Sequence, residues 1–166
     1  MKKTFLLALV LALLAACTPA SPEPLTPVES YLVENFGQAF SGGKVFCAYD
    51  VLGTGPRDDG VDVYVWALCG EYTLDNSVLT LGTASSLPVA LHMQKSNGQY
   101  TVTSYEVPRD GIDYGSSIQR IFPPAAIEKM CETNADCYNE RAQRLQNEIE
   151  QKAGEVYGFY LKFFPN

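Results

Sequence analysis

The stretch Val61–Tyr72 constrains the fold most, because both of its faces are apolar. Side chains alternate along an extended strand, which puts Val61, Val63, Val65 and Ala67 on one face and Tyr64, Trp66, Leu68 and Tyr72 on the other. A sheet built on such a strand needs cover on two sides. The run 45–54 mirrors it across the turn cluster Gly55-Pro56-Arg57-Asp58-Asp59-Gly60, so residues 44–72 read as one long hairpin. With the turn centred near Asp58, Cys47 falls opposite Cys69, Val51 opposite Val65 and Leu52 opposite Tyr64.

Elements able to supply the cover flank this hairpin. Thr26-Pro27-Val28-Glu29 has the form of a capping box, and Val28, Leu32, Phe36 and Phe40 recur every fourth residue, which predicts one amphipathic helix stopped near Gly42-Gly43. Residues 87–107 form a second hairpin around Asn97-Gly98, with His92 pairing with Thr103, and Val78–Leu81 reads as a short edge strand. Pro123 and Pro124 open a short helix that runs to about Cys131. Asp136 can cap a longer one carrying Ala142, Leu145, Ile149, Ala153 and Val156, and an aromatic tail from Tyr157 to Phe164 closes the chain. The order predicts an α+β fold, in which an N-terminal helix packs on a curved antiparallel sheet of four to five strands and C-terminal helices follow. Those helices either bury the Trp66 face or leave it as a concave aromatic surface.

Before this domain stands a different kind of sequence. Lys2 and Lys3 precede an uncharged run from Phe5 to Ala16, which is too short to span a bilayer of about 30 Å and fits a secretory leader. Leu14-Ala15-Ala16-Cys17 looks like a bacterial lipobox, so residues 1–16 are expected to be removed and Cys17 to carry lipid. Pro19, Pro22 and Pro24 make 17–26 a spacer, and 27–166 is the single domain. The expected location is the cell envelope, on the extracytoplasmic side, at an outer membrane or the cell surface.

Cleavage removes two of the twelve basic residues and leaves ten against nineteen acidic ones, a formal charge of −9 where the whole chain has −7. That balance excludes a nucleic-acid binder, which needs a basic surface to neutralise phosphates. With Cys17 lipidated, Cys47, Cys69, Cys131 and Cys137 remain in a disulfide-permissive compartment. Hairpin register favours Cys47–Cys69, and proximity in sequence favours Cys131–Cys137. No Cys-x2-Cys spacing supports a zinc site.

Candidate chemistry is sparse. Imidazole is the side chain that ordinarily titrates near neutrality, and His92 is the sole histidine. No Gly-x-Ser-x-Gly or His-Glu-x-x-His motif accompanies it, and Asp58, Asp59 and Asp62 read as solvated turn carboxylates. No catalytic residue, metal or cofactor is assigned on these grounds. Two functions remain. One is a non-catalytic domain, expected to be monomeric, that binds an envelope protein or small ligand through the sheet face around Tyr64, Trp66, His92 and Tyr105. The other is a small hydrolase or isomerase that uses His92 with Glu106 or Asp50.

Four segments carry a resemblance. They are Tyr49-Asp50-Val51-Leu52-Gly53-Thr54, the run from Val63 to Tyr72, Tyr105-Glu106-Val107-Pro108-Arg109-Asp110-Gly111, and the run from Ile118 to Pro123. In that order, over roughly residues 30–150, they resemble an uncharacterised extracytoplasmic module of small bacterial lipoproteins. The same module follows the peptidase in some beta-lactam-sensor-type membrane metallopeptidases. The resemblance implies a sensor or binding accessory domain of cystatin-like shape. It does not imply proteolysis, because the membrane helices and zinc motif of those larger proteins are missing from this chain.

Overall fold

The computed structural model describes residues 25, 27–131 and 134–158. The segments expected to be a leader and a spacer, up to Pro24 and including Cys17, together with Thr26 and the aromatic residues beyond Gly158, lie outside them. The elements, in order, are helix α1 (Val28–Phe36), strands β1 (Lys44–Arg57), β2 (Gly60–Asp75), β3 (Val78–Ser96) and β4 (Gln99–Glu106), and helices α2 (Tyr114–Ile121), α3 (Pro124–Lys129) and α4 (Ala135–Tyr157). The strands form one antiparallel sheet in the order β1-β2-β3-β4, so the fold is α+β.

The two apolar faces of β2 are buried in different ways. Val63, Val65 and Ala67, with Cys47, Cys69, Val89, Leu91 and Met93, pack under Val28 and Leu32 of α1. Tyr64, Trp66, Leu68 and Tyr72 pack under Ile118, Ile121 and Phe122 of α2 and its end, Ala126 of α3, and Leu145, Ile149 and Ala153 of α4. The sheet is therefore the middle of three layers. Burial pushes the hydroxyl of Tyr72 up to about 12, Glu150 adds to this, and a hydrogen bond from Gln146 opposes it.

Several boundaries differ from the sequence reading, for local reasons. α1 stops at Phe36 because the chain turns out at Gly37, whose missing Cβ would lie 2.3 Å from Val45 Cγ1 and 2.6 Å from Val33 O. Phe40 thus leaves the helix and is 74% exposed. Glu29 forms an ion pair with Lys152 at 2.9 Å. The first hairpin turn tightens to Asp58-Asp59, since Arg57 pairs with Gly60. Cys47 faces Cys69 and Val51 faces Val65, but Leu52 bulges inward and Gly53 takes the place opposite Tyr64. Residues 78–96 form one strand of 19 residues rather than two, because a bulge beside Glu71 carries the ladder past Gly82 and Thr83. Asn134, not Asp136, caps α4, its Oδ1 accepting from the Cys137 amide at 3.1 Å. Arg141 takes the sheet-facing place expected of Ala142, which is exposed.

Both disulfides are present. Cys47–Cys69 crosses β1 and β2 with Cα atoms 4.1 Å apart, and Cys131–Cys137 joins the end of α3 to α4 at 5.7 Å.

Among the described residues Glu71 is the carboxylate most completely withdrawn from solvent, and it holds the loop after α1. Its oxygens accept from the amides of Phe40 (2.9 Å), Ser41 (2.9 Å) and Gly43 (2.8 Å). Burial opposes ionisation, but the three donors outweigh it and keep the carboxyl below its ordinary value of 4.5. A folded-state value lower than the unfolded one stabilises above about pH 4.5 and stops doing so as pH falls through the folded value. Glu71→Gln is therefore expected to lower the urea midpoint at neutral pH. The gap to the parent should narrow on acidification to about pH 3, and a gap independent of pH would contradict this.

Candidate functional site

The Leu52 bulge changes the phase of β1, so that Gly53, Gly55 and Arg57 face the layer of α2–α4. A Cβ on Gly53 would lie 4.0 Å from Ala126 Cβ, and one on Gly55 would lie 3.2 Å from Tyr64 Oη. Arg57 is thereby brought to a row of charges at this end of the sheet. Asp62 of β2 is opposite His92 of β3, and Glu106 of β4 is one step along.

His92 Nδ1 lies 2.7 Å from Asp62 Oδ1, and Nε2 lies 3.3 Å from Glu106 Oε1. Arg57 Nη1 reaches Asp62 Oδ1 at 3.1 Å and His92 Nδ1 at 2.9 Å, while Arg120 of α2 donates to Glu106 Oε2 at 3.0 Å. Asp62 raises the Arg57 guanidinium further by hydrogen bond and charge. Burial first, and then Asp62, push the Tyr64 hydroxyl up, so it remains a donor, 3.5 Å from Asp62 Oδ2. The row Arg57–Asp62–His92–Glu106–Arg120 sets each carboxylate between an arginine and the imidazole and ties four strands to α2. The side chains of His92 and Asp62 are 15% and 17% exposed, which makes the row a half-buried clamp.

A protonated ring can donate to both carboxylates, and a neutral one with Nδ1 bare can accept from Arg57. Carboxylate-to-imidazole geometry also orients a general base, but such a base needs its far nitrogen turned to a nucleophile. Here that nitrogen faces Glu106, which Arg120 holds.

The residues read from sequence as one surface are divided. Trp66 lies 4.8 Å from the Arg141 guanidinium and 6.0 Å edge-on from Tyr138, and its indole donates to Ser86 Oγ at 2.9 Å. Helices thus cover Trp66 and Tyr64. Tyr105 stands on the opposite face, because it pairs with Leu91, and its ring lies 4.9 Å from Phe36. The bulge at Thr103 sets that phase, and Ser104 rather than Thr103 pairs with His92. Glu106 does meet His92, whereas Asp50 turns to α4, where Arg144 grips both its oxygens and Arg141 Nε lies 3.5 Å away. Asp62 was hidden in sequence among the turn aspartates, and only the β2–β3 register singles it out.

On the α1 face a groove of about 270 Å³ runs between the end of α1 and β3, lined by Asn35, Phe36, Gln38, Thr83, Ser85 and Leu87. Among the described residues no group of three His, Cys, Asp or Glu side chains is placed to hold a metal ion, and no helix is long and apolar enough to cross a membrane. Comparisons with family models, curated proteins and solved structures find no match to this chain.

Proposed function

We propose that the chain is a bacterial lipoprotein, cleaved before Cys17 and lipidated there, whose domain, cystatin-like in plan, binds a partner or small ligand at the envelope without catalysing a reaction. The groove between α1 and β3 carries the binding part of this reading, because Tyr64 and Trp66, expected to line an aromatic surface, are packed beneath α2–α4. Two disulfides fit an oxidising compartment. The sensor-module resemblance agrees with an accessory role. Catalysis through His92 is the weaker reading, because both ring nitrogens are engaged by carboxylates that arginines hold.

Metabolic labelling with an alkyne fatty acid tests the tether. Label and membrane fractionation are expected for the full chain and neither for Cys17→Ala; equal labelling of the two would refute it.

A further inference from the structure

We propose that the outer edge of β3, from Leu79 to Pro88, is a docking lane for an extended segment of another polypeptide, uncharged or basic in character. The proposal rests on the binding reading above and names its surface. β4 occupies this edge only along Ala90–Ser96, and the last pair is Ala90 with Glu106. Beyond that point β3 continues back to Val78, bonded to β2 on its inner side. Among the described residues no backbone group bonds to its outer side. Thr80, Leu81, Gly82, Thr83, Ala84 and Ser86 are exposed along it. The bulge at Gly82 and Thr83 interrupts the spacing, and on either side of it the free amide and carbonyl groups lie at strand spacing, where another strand satisfies them as a set.

Three observations favour this lane. The opposite edge of the sheet is guarded, since Lys152 reaches round β1, donates to Cys47 O at 2.9 Å and pairs with Glu29 and Glu148. Proteins blunt sheet edges with charge in this way, yet no Asp, Glu, Lys or Arg occurs between Asn76 and Leu91. The groove lies alongside, with Thr83, Ser85 and Leu87 on its wall, where alternate side chains of an added strand can enter. The chain carries a formal charge of −7 and would repel an acidic segment, so an uncharged or basic one fits. Pro88 is buried at one end of the lane, and a proline within the β2–β3 ladder is tolerated where its nitrogen points to the outer side. Alternation puts Ala84 and Ser86 in phase with it.

The probe is the capped heptapeptide Lys-Val-Thr-Val-Thr-Val-Lys, compared with the same peptide N-methylated on alternate amides. Hydrogen–deuterium exchange of the full chain in detergent is expected to show peptide-dependent protection confined to 79–88. The N-methylated peptide should bind about tenfold or more weakly, because the main-chain donors it lacks carry the recognition. Ala84→Pro should cause a similar loss for the parent peptide by removing an edge donor, while the N-methylated comparison on the unaltered protein does not depend on how that variant folds. Absence of protection at 79–88, protection elsewhere, equal affinity of the two peptides, or self-association through this edge in sedimentation would each overturn the proposal. If the peptide fails while Cys17 still takes up fatty acid, the lane is lost and the tethered reading stands; loss of the label removes the tether instead.

Discussion

Replacing Cys47 and Cys69 together by alanine is expected to destabilise the domain by about 3 kcal/mol. The bond closes a loop with a sequence separation of 22, and opening it returns that loop's entropy to the unfolded chain. Both residues are also buried, at 0% and 2% exposure, among Leu32, Val65 and Val89, so the lost sulfurs leave space that a rigid sheet and α1 cannot fully close. The same change at Cys131 and Cys137 should cost less, about 2 kcal/mol, because their separation is only 6. Paired urea unfolding curves measure the difference. Equal losses from the two pairs, or a larger loss from Cys131–Cys137, would contradict the assignment of Cys47–Cys69 as the main staple. The half-buried Cys131–Cys137 pair should also yield first to a mild reductant.

Trp66→Ala is expected to cost about 3–5 kcal/mol, the range for deleting a large aromatic side chain from a packed interior. At 6% exposure the indole fills the space between β2 and α4. Its loss removes the ring beneath Arg141, whose guanidinium also donates to the carbonyls of Met130 (2.8 Å) and Lys129 (2.5 Å) at the junction of α3 and α4. The substitution should therefore loosen that junction as well as the core. Hydrogen exchange should quicken in α4 around Arg141 to Leu145 more than in α1, which lies across the sheet. A loss under about 1 kcal/mol would mean that the Trp66 face is an open surface after all, since surface substitutions usually fall in that range.

Local pattern made much of the fold legible. Alternation in 61–72 required two covering layers, the turn cluster at 55–60 set the Cys47–Cys69 register, and the capped, stripe-bearing C-terminal segment became α4. The clamp around His92 was much less legible. Its members come from β1, β2, β3, β4 and α2, and three of them, Arg57, Asp62 and Arg120, have sequence surroundings typical of a turn or a solvated helix face. Arg57 enters the row only because Leu52 bulges, and a bulge follows from how Leu52 and Gly53 pack under α3, which no nearby residue announces. Tyr105 was misplaced for a similar reason, since one extra residue in β4 reverses every side chain beyond it.

Periodicity, chain proximity and hairpin symmetry made the α+β class, the two favoured cysteine pairings and the need to cover both faces of β2 readable from the residues alone, whereas α2 went unread. Contacts between segments distant in the chain were settled by packing. The helices took the Trp66 face because α4 has its own stripe, Leu145, Ile149 and Ala153, to withdraw from water. Two bulges set the faces of Arg57 and Tyr105, and the early end of β4 left the edge of β3 open. Each of these outcomes is a balance of packing between segments distant in the chain, so no local pattern could fix it.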